Sequence, residues 1–135
     1  SNINMSNKMD KILAEISAGE LIDKITILEI KKDKINNTEK LKDVEKELVS
    51  LHASMEKYIP NQTKIINFKN DLKSINLKLW NIEDGKRLAE KNKKFDDNFI
   101  ELARSVYRLN DERAKIKLAI NNALGSNLKE VKSYE

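Results

Sequence analysis

Cysteine is absent from the 135 residues, and histidine occurs once, at His52. Disulfide scaffolds, thiol and Ser-His nucleophiles, and metal sites that need two imidazole or thiolate ligands are therefore excluded, so neither a metal nor a cofactor is expected. Three glycines and one proline leave few places for tight turns, which rules out an all-β fold. Phosphate-cradling loops are glycine-rich, and Gly19, Gly85 and Gly125 lie far apart. Aromatics make up 5%, with one tryptophan, Trp80. A single indole beside Lys73 and Lys78 is a poor stacking platform, so nucleic acid is not an expected partner. No apolar run approaches the roughly 18 residues that span a bilayer, and the N-terminus lacks the basic-then-apolar layout of a signal peptide. A cytoplasmic protein without membrane association is the expectation.

Charge is what the chain has in abundance. Lys+Arg total 26 against 22 Asp+Glu, a net charge of +4, with 36% charged and 39% hydrophobic residues. That balance belongs to exposed helices and coiled coils. Opposite charges alternate throughout, which reads as solvated helix faces rather than a basic stripe. The length allows one domain. Ser1-Asn2 reads as the remnant of a cleaved tag, and residues 1–16 as a poorly patterned lead-in where Ile12, Leu13 and Ile16 make a short helical stretch. A single helical domain is expected over 17–135.

Four helices are legible. Ser17 and Glu20 have capping-box spacing, with Ser17 accepting from an orphan amide and Glu20 reaching back, so a helix starts there and runs to about Ile35. Its Leu21, Ile22, Ile25, Ile27, Leu28 and Ile30 cover more of the cylinder than one stripe, which predicts packing against more than one neighbour. Thr38 reads as the next N-cap. Leu41, Val44, Leu48, Leu51, Met55 and Tyr58 then repeat at 3 and 4, the seam of helices packed side by side, until Pro60 stops them. The third helix spans 62–91 on Ile65, Phe68, Leu72, Ile75, Leu79 and Ile82, with Gly85 marking a kink or a close approach. The fourth starts at Asp96 or Asp97 and carries Phe99, Leu102, Val106, Leu109, Ile116, Ile120 and Ala123. Gly125 supplies its left-handed cap. Leu128, Val131 and Tyr134 predict one or two turns lying on the bundle.

The third and fourth helices form a long antiparallel, coiled-coil-like hairpin, and the shorter pair covers only part of its apolar face. The seam left uncovered, with Ile116 within it, predicts a homo-oligomer or another helical protein as partner. Lysines number 22 and arginines four, Arg87, Arg104, Arg108 and Arg113, all in the second half. Where lysine serves for simple charge, an arginine marks a place that needs a planar, bidentate donor. Glu101, Arg104, Arg108 and Asp111 share one face of the fourth helix, flanked by Tyr107 and Asn110. Trp80, Glu83, Asp84 and Arg87 share a face of the third. Two readings stay open. In one, Glu83 and Asp84 pair with Arg104 or Arg108 across the hairpin and fix its register. In the other, the arginines clamp a carboxylate or phosphate between Trp80 and Tyr107, with Asn110 orienting it. Glu20, Asp23, Lys24 and Glu29 are candidates to join that pocket. His52 reads as a structural histidine.

The stretches Gly19 to Lys31 (GELIDKITILEIK), Leu79 to Asp84 (LWNIED), Phe99 to Asp111 (FIELARSVYRLND) and Glu130 to Tyr134 (EVKSY) resemble a domain-of-unknown-function family of small helical bacterial and phage proteins. The resemblance spans 17–134, and four blocks in the same order are more specific than any one of them. It implies no reaction, but it links the chain to glycan-biosynthesis and glycosyltransferase proteins, and hence to a glycan precursor as the anionic ligand. Gly85 departs from the bulkier or acidic residue of that pattern. Glu20 to Ile25 is also similar to the opening helix of helical chorismate mutases, which clamp a dicarboxylate with arginines and lysines. This helix offers Lys24, Lys31 and Lys32 where those enzymes place an arginine. The expectation is an all-α, four-helix antiparallel bundle acting as a self-associating binding or scaffold module, with no catalytic residues assigned. The alternatives are an arginine-lined site for a phosphorylated or carboxylated metabolite and a chorismate-mutase-like enzyme.

Overall fold

The computed structural model describes residues 9–131, so the Tyr134 part of the tail expectation lies outside it. Among the described residues there are four α-helices: α1 (Ala18–Lys34), α2 (Thr38–Tyr58), α3 (Ile66–Lys91) and α4 (Asp97–Leu124). A 3₁₀ turn, Thr63–Ile65, leads into α3, so the α-helix proper starts four residues after the expected 62. At 1.5 Å per residue α3 and α4 reach roughly 40 Å each, α2 roughly 30 Å and α1 roughly 25 Å. None of these helices is long and apolar enough to cross a membrane.

The helix ends follow from capping chemistry. Asn37, one residue before the expected Thr38, caps α2 by accepting from Lys40 N–H. Asp96 caps α4 through Phe99 N–H, and Gly125 closes that helix in the left-handed region at φ 62°. The lead-in 9–17 and the tail 126–131 contain no helix, against expectation. Ile12, Leu13 and Val131 are more than three-quarters exposed. Their apolar residues stay exposed rather than docked, and a turn or two does not form unaided in water.

The helices stack in layers rather than as two matched pairs. α3 and α4 form the hairpin, α1 lies across it, and α2 packs on the far side of α1 and against no other helix. Only α1 covers the hairpin, where the sequence led us to expect both shorter helices. The cause is the apolar girth of α1. Ile22 and Ile25 are fully buried, Leu21, Leu28 and Ile30 nearly so, and the core that all of these but Ile30 share takes in Val44, Leu48 and Met55 from α2, Leu72 from α3 and Ile120 from α4. Ile116 packs against this core and so does not belong to the uncovered seam. Tyr58 closes the α2 repeat in sequence but stays exposed.

α1 enters against α4 and leaves against α3. At the entry, a Cβ on Gly19 would stand 2.4 Å from the Lys117 carbonyl oxygen, so only glycine permits this approach. The first-turn amides of α1 are capped by distant residues: Ala18 N–H donates to Ser126 Oγ at 3.0 Å and Gly19 N–H to Asn121 Oδ1 at 2.6 Å. Glu20 N–H donates to Ser17 Oγ at 3.0 Å, the first half of the expected capping box. The second half is absent, because the Glu20 carboxylate pairs instead with Lys117 and Lys24. Glu130 completes a clasp, accepting from the Ser17 hydroxyl at 2.6 Å and from Asn121 Nδ2 at 3.2 Å. Burial alone would raise the pKa of Glu130. The Ser17 hydroxyl, its own amide, Lys117 and Asn121 together outweigh burial and hold it below its ordinary 4.5.

Two glycines separate by test. Gly19→Ala should destabilise the protein in urea denaturation by roughly 1–3 kcal/mol, the cost of overpacking against backbone. The Cβ of Gly85→Ala meets the flexible Leu102 Cδ1 at 3.2 Å inside an unbroken α3. That variant should be neutral or up to about 1 kcal/mol more stable, through helix propensity. Glu130 makes a pH prediction. Because its folded pKa is depressed, its contribution is complete above the unfolded carboxylate value and fades as pH falls from about 4.5 through the lower folded value. Glu130→Gln should flatten the acid limb of the stability curve in that window, measured by thermal melts from pH 6 to pH 3.

Candidate functional site

Where α1 ends its crossing, the outer half of the hairpin runs on uncovered, and a cleft opens in the corner. Its volume is about 230 Å³. α3 supplies most of the lining: Asn76, Leu79, Trp80, Glu83, Asp84 and Arg87. Ile27 and Ile30 come from α1 and Arg113 from α4. The spacing of the α3 residues, one or two turns apart, places them along one helix edge as the sequence predicted. α1 contributes apolar side chains to the cleft and no cation.

Beneath the cleft lies a buried polar chain. Asp23, Thr26 and Asn76 are each at least 95% buried. Asn76 Nδ2 donates to Asp23 Oδ1 at 2.8 Å and to Thr26 Oγ1 at 2.9 Å, and the Thr26 hydroxyl donates to the Asp23 carbonyl at 2.8 Å. Asn76 Oδ1 is left to accept from Arg113 Nη1 at 3.2 Å. A carboxylate, a hydroxyl and an amide thus fix one edge of a guanidinium at the cleft wall. A planar group with five donors keeps the others for further use.

The expected constellation divides. Trp80, Glu83, Asp84 and Arg87 share the cleft, joined by Arg113. Arg104, Tyr107, Arg108 and Asn110 do not line it. Arg108 pairs with Glu101 of its own helix at 3.3 Å and lies 5.8 Å from the Tyr107 ring centre, both on the exposed face of α4. Tyr107, and after it Glu101, outweigh desolvation and raise the Arg108 pKa above the ordinary arginine value. Arg104 is exposed. No ion pair joins Glu83 or Asp84 to Arg104 or Arg108 among the described residues. Glu83 pairs with Lys86, one turn along, at 3.3 Å. Of the first-helix candidates, Asp23 belongs to the buried chain, whereas Glu20 and Lys24 belong to the clasp at the other end.

Glu29 lies at a second, wider groove of about 710 Å³ along the Pro60 to Thr63 loop, 3.9 Å from Lys69 and 3.5 Å from Lys73. Its Oε1 is buried without a hydrogen bond. Lysines answer the local acids there, and this groove holds none of the aromatic or arginine residues gathered in the cleft.

Sequence reasoning missed Asn76. The available signal was a polar residue directly after Ile75, inside the width of an apolar stripe; Asn121 after Ile120 is the same device at the Gly19 contact. Both are buried.

No curated protein and no solved structure matches this chain. A family model does, over residues 12–135, nearly the whole sequence and all four helices. The chain belongs to the family of unknown function DUF6165.

Proposed function

We propose that this protein is a helical binding module whose cleft between α1, α3 and α4 holds a small ligand by an anionic group, a phosphate or a carboxylate. The observation that carries this reading is the state of its two arginines. Among the described residues, lysines make the ion pairs, with Arg108–Glu101 the exception, while Arg87 and Arg113 line the cleft without a carboxylate partner. Guanidinium groups held on rigid helices, one of them braced by Asn76, suit the paired oxygens of a carboxylate or phosphate. Leu79, Trp80, Ile27 and Ile30 give the ligand an apolar wall, the usual composition of a small-molecule site.

Thermal melts in inorganic phosphate and in succinate, against sodium chloride of equal ionic strength, test it. At ten times the dissociation constant the midpoint should rise by roughly 4 °C. Arg113→Ala and Arg87→Ala should abolish the rise and Arg104→Ala should keep it. A rise that only Arg104→Ala removed would put the site elsewhere.

A second reading, self-association through the outer hairpin, is favoured by its exposed Leu88, Phe95 and Ile100, each more than half accessible and covered by no helix. The charges there fit a second copy of this chain. Residues 86–94 carry five basic residues against Glu90, and 95–101 carry Asp96, Asp97 and Glu101. The end of α3 would thus meet the start of α4 from the other copy across a twofold axis. Sedimentation velocity should show a dimer that Leu88→Lys dissociates. A monomer in the wild type at high concentration would remove this reading.

A further inference from the structure

The cleft holds as many acids as arginines, and that balance bears on what enters it. We infer that its ligand is amphoteric, carrying an ammonium group beside the phosphate or carboxylate, so that Asp84 reads the cation while Arg87 and Arg113 read the anion. This rests on the anion-binding reading of the same cleft.

The lining arginines and the lining acids Glu83 and Asp84 cancel in charge. A site selecting a bare anion gains nothing from carboxylates at its wall, since each repels the ligand and weakens the guanidinium field. These acids are not spent on the arginines. Glu83 is paired with Lys86, and Asp84 makes no ion pair or hydrogen bond with another described residue. Asp84 lies one turn from Arg87 on the same edge of α3, a rise of roughly 4.5 Å, and one turn from Trp80 on the other side. A ligand that spans Arg87 and Asp84 therefore meets both signs within its own length, with the indole beside the cationic end. Trp80 adds to that end, because an aromatic face attracts a cation and is indifferent to a neutral alkyl group of the same size. The volume of about 230 Å³ limits the ligand to a small molecule of this class, such as an amino acid or a phosphorylated amine.

The discriminating pair is O-phosphoethanolamine and ethyl phosphate, alike except for the ammonium group, titrated by calorimetry at pH 7 into the wild type and Asp84→Asn. The amine should bind the wild type at least roughly tenfold more tightly, the value of one charge-assisted hydrogen bond. In Asp84→Asn that preference should vanish, with ethyl phosphate binding unchanged or tighter. Asp84 is exposed, so the variant should fold, and a melt confirms it. Equal binding of the two compounds by the wild type would overturn the amphoteric inference and leave the anion site standing. Binding of neither would overturn both. A preference that survived Asp84→Asn but disappeared in Glu83→Gln would overturn the role given to Asp84.

Discussion

Everything else in the fold leans on the approach of two backbones at Gly19. α1 can lie across the hairpin only because its first turn meets the Lys117 carbonyl with no side chain between them. Its own cap, Ser17, and two distant residues, Asn121 and Ser126, then take the amides that a helix start leaves bare. That contact sets the angle and the height of α1. The angle brings Asp23 and Thr26 over Asn76 and lays Ile27 and Ile30 along the cleft, which opens on the flank of α1. The cleft is thus placed by a packing constraint near the start of the same helix.

The cost of the buried polar chain is met locally. An aspartate at 4% exposure is expensive unless hydrogen-bonded, and Asn76 Nδ2 supplies the carboxylate's partner while the Thr26 hydroxyl bonds the Asp23 backbone carbonyl. Leaving Asn76 with one acceptor for Arg113 ties a charged surface group to a rigid interior. The ion pairs within single helices are of a different kind. Lys42 with Glu39 and Lys24 with Glu20 are exposed or half-exposed pairs along single helices, worth little to stability. Lysine is adequate there.

Helix number, helix boundaries and seams were legible from Ser17, Pro60, Asp96 and Gly125 together with the regular 3 and 4 spacings, because caps and periodicity are local properties. The layering was only half legible. The apolar girth of α1 announced more than one neighbour, but nothing local says that α2 sits outside α1 rather than beside it. The site followed the same division. Trp80, Glu83, Asp84 and Arg87 lie on one helix, so their grouping was visible. Arg104 and Arg108 were expected to face them because the hairpin register puts 83 and 104 at similar heights, as the Gly85 contact with Leu102 requires. Height along a hairpin does not fix azimuth. Arg104 and Arg108 point to solvent on α4, and the arginine that turns inward from that helix is Arg113, in the seam position between Leu109 and Ile116.

The Glu130 clasp has a geometric corollary. With Ser17 and Glu130 in contact, the chain enters and leaves the bundle at one pole, while the turn between α3 and α4 occupies the other, roughly 40 Å away. Both approaches share a common base, and the bare end of the hairpin is a spoke directed away from it. Trp80 and Arg87 stand between that base and the far turn, at the corner where the cover given by α1 stops.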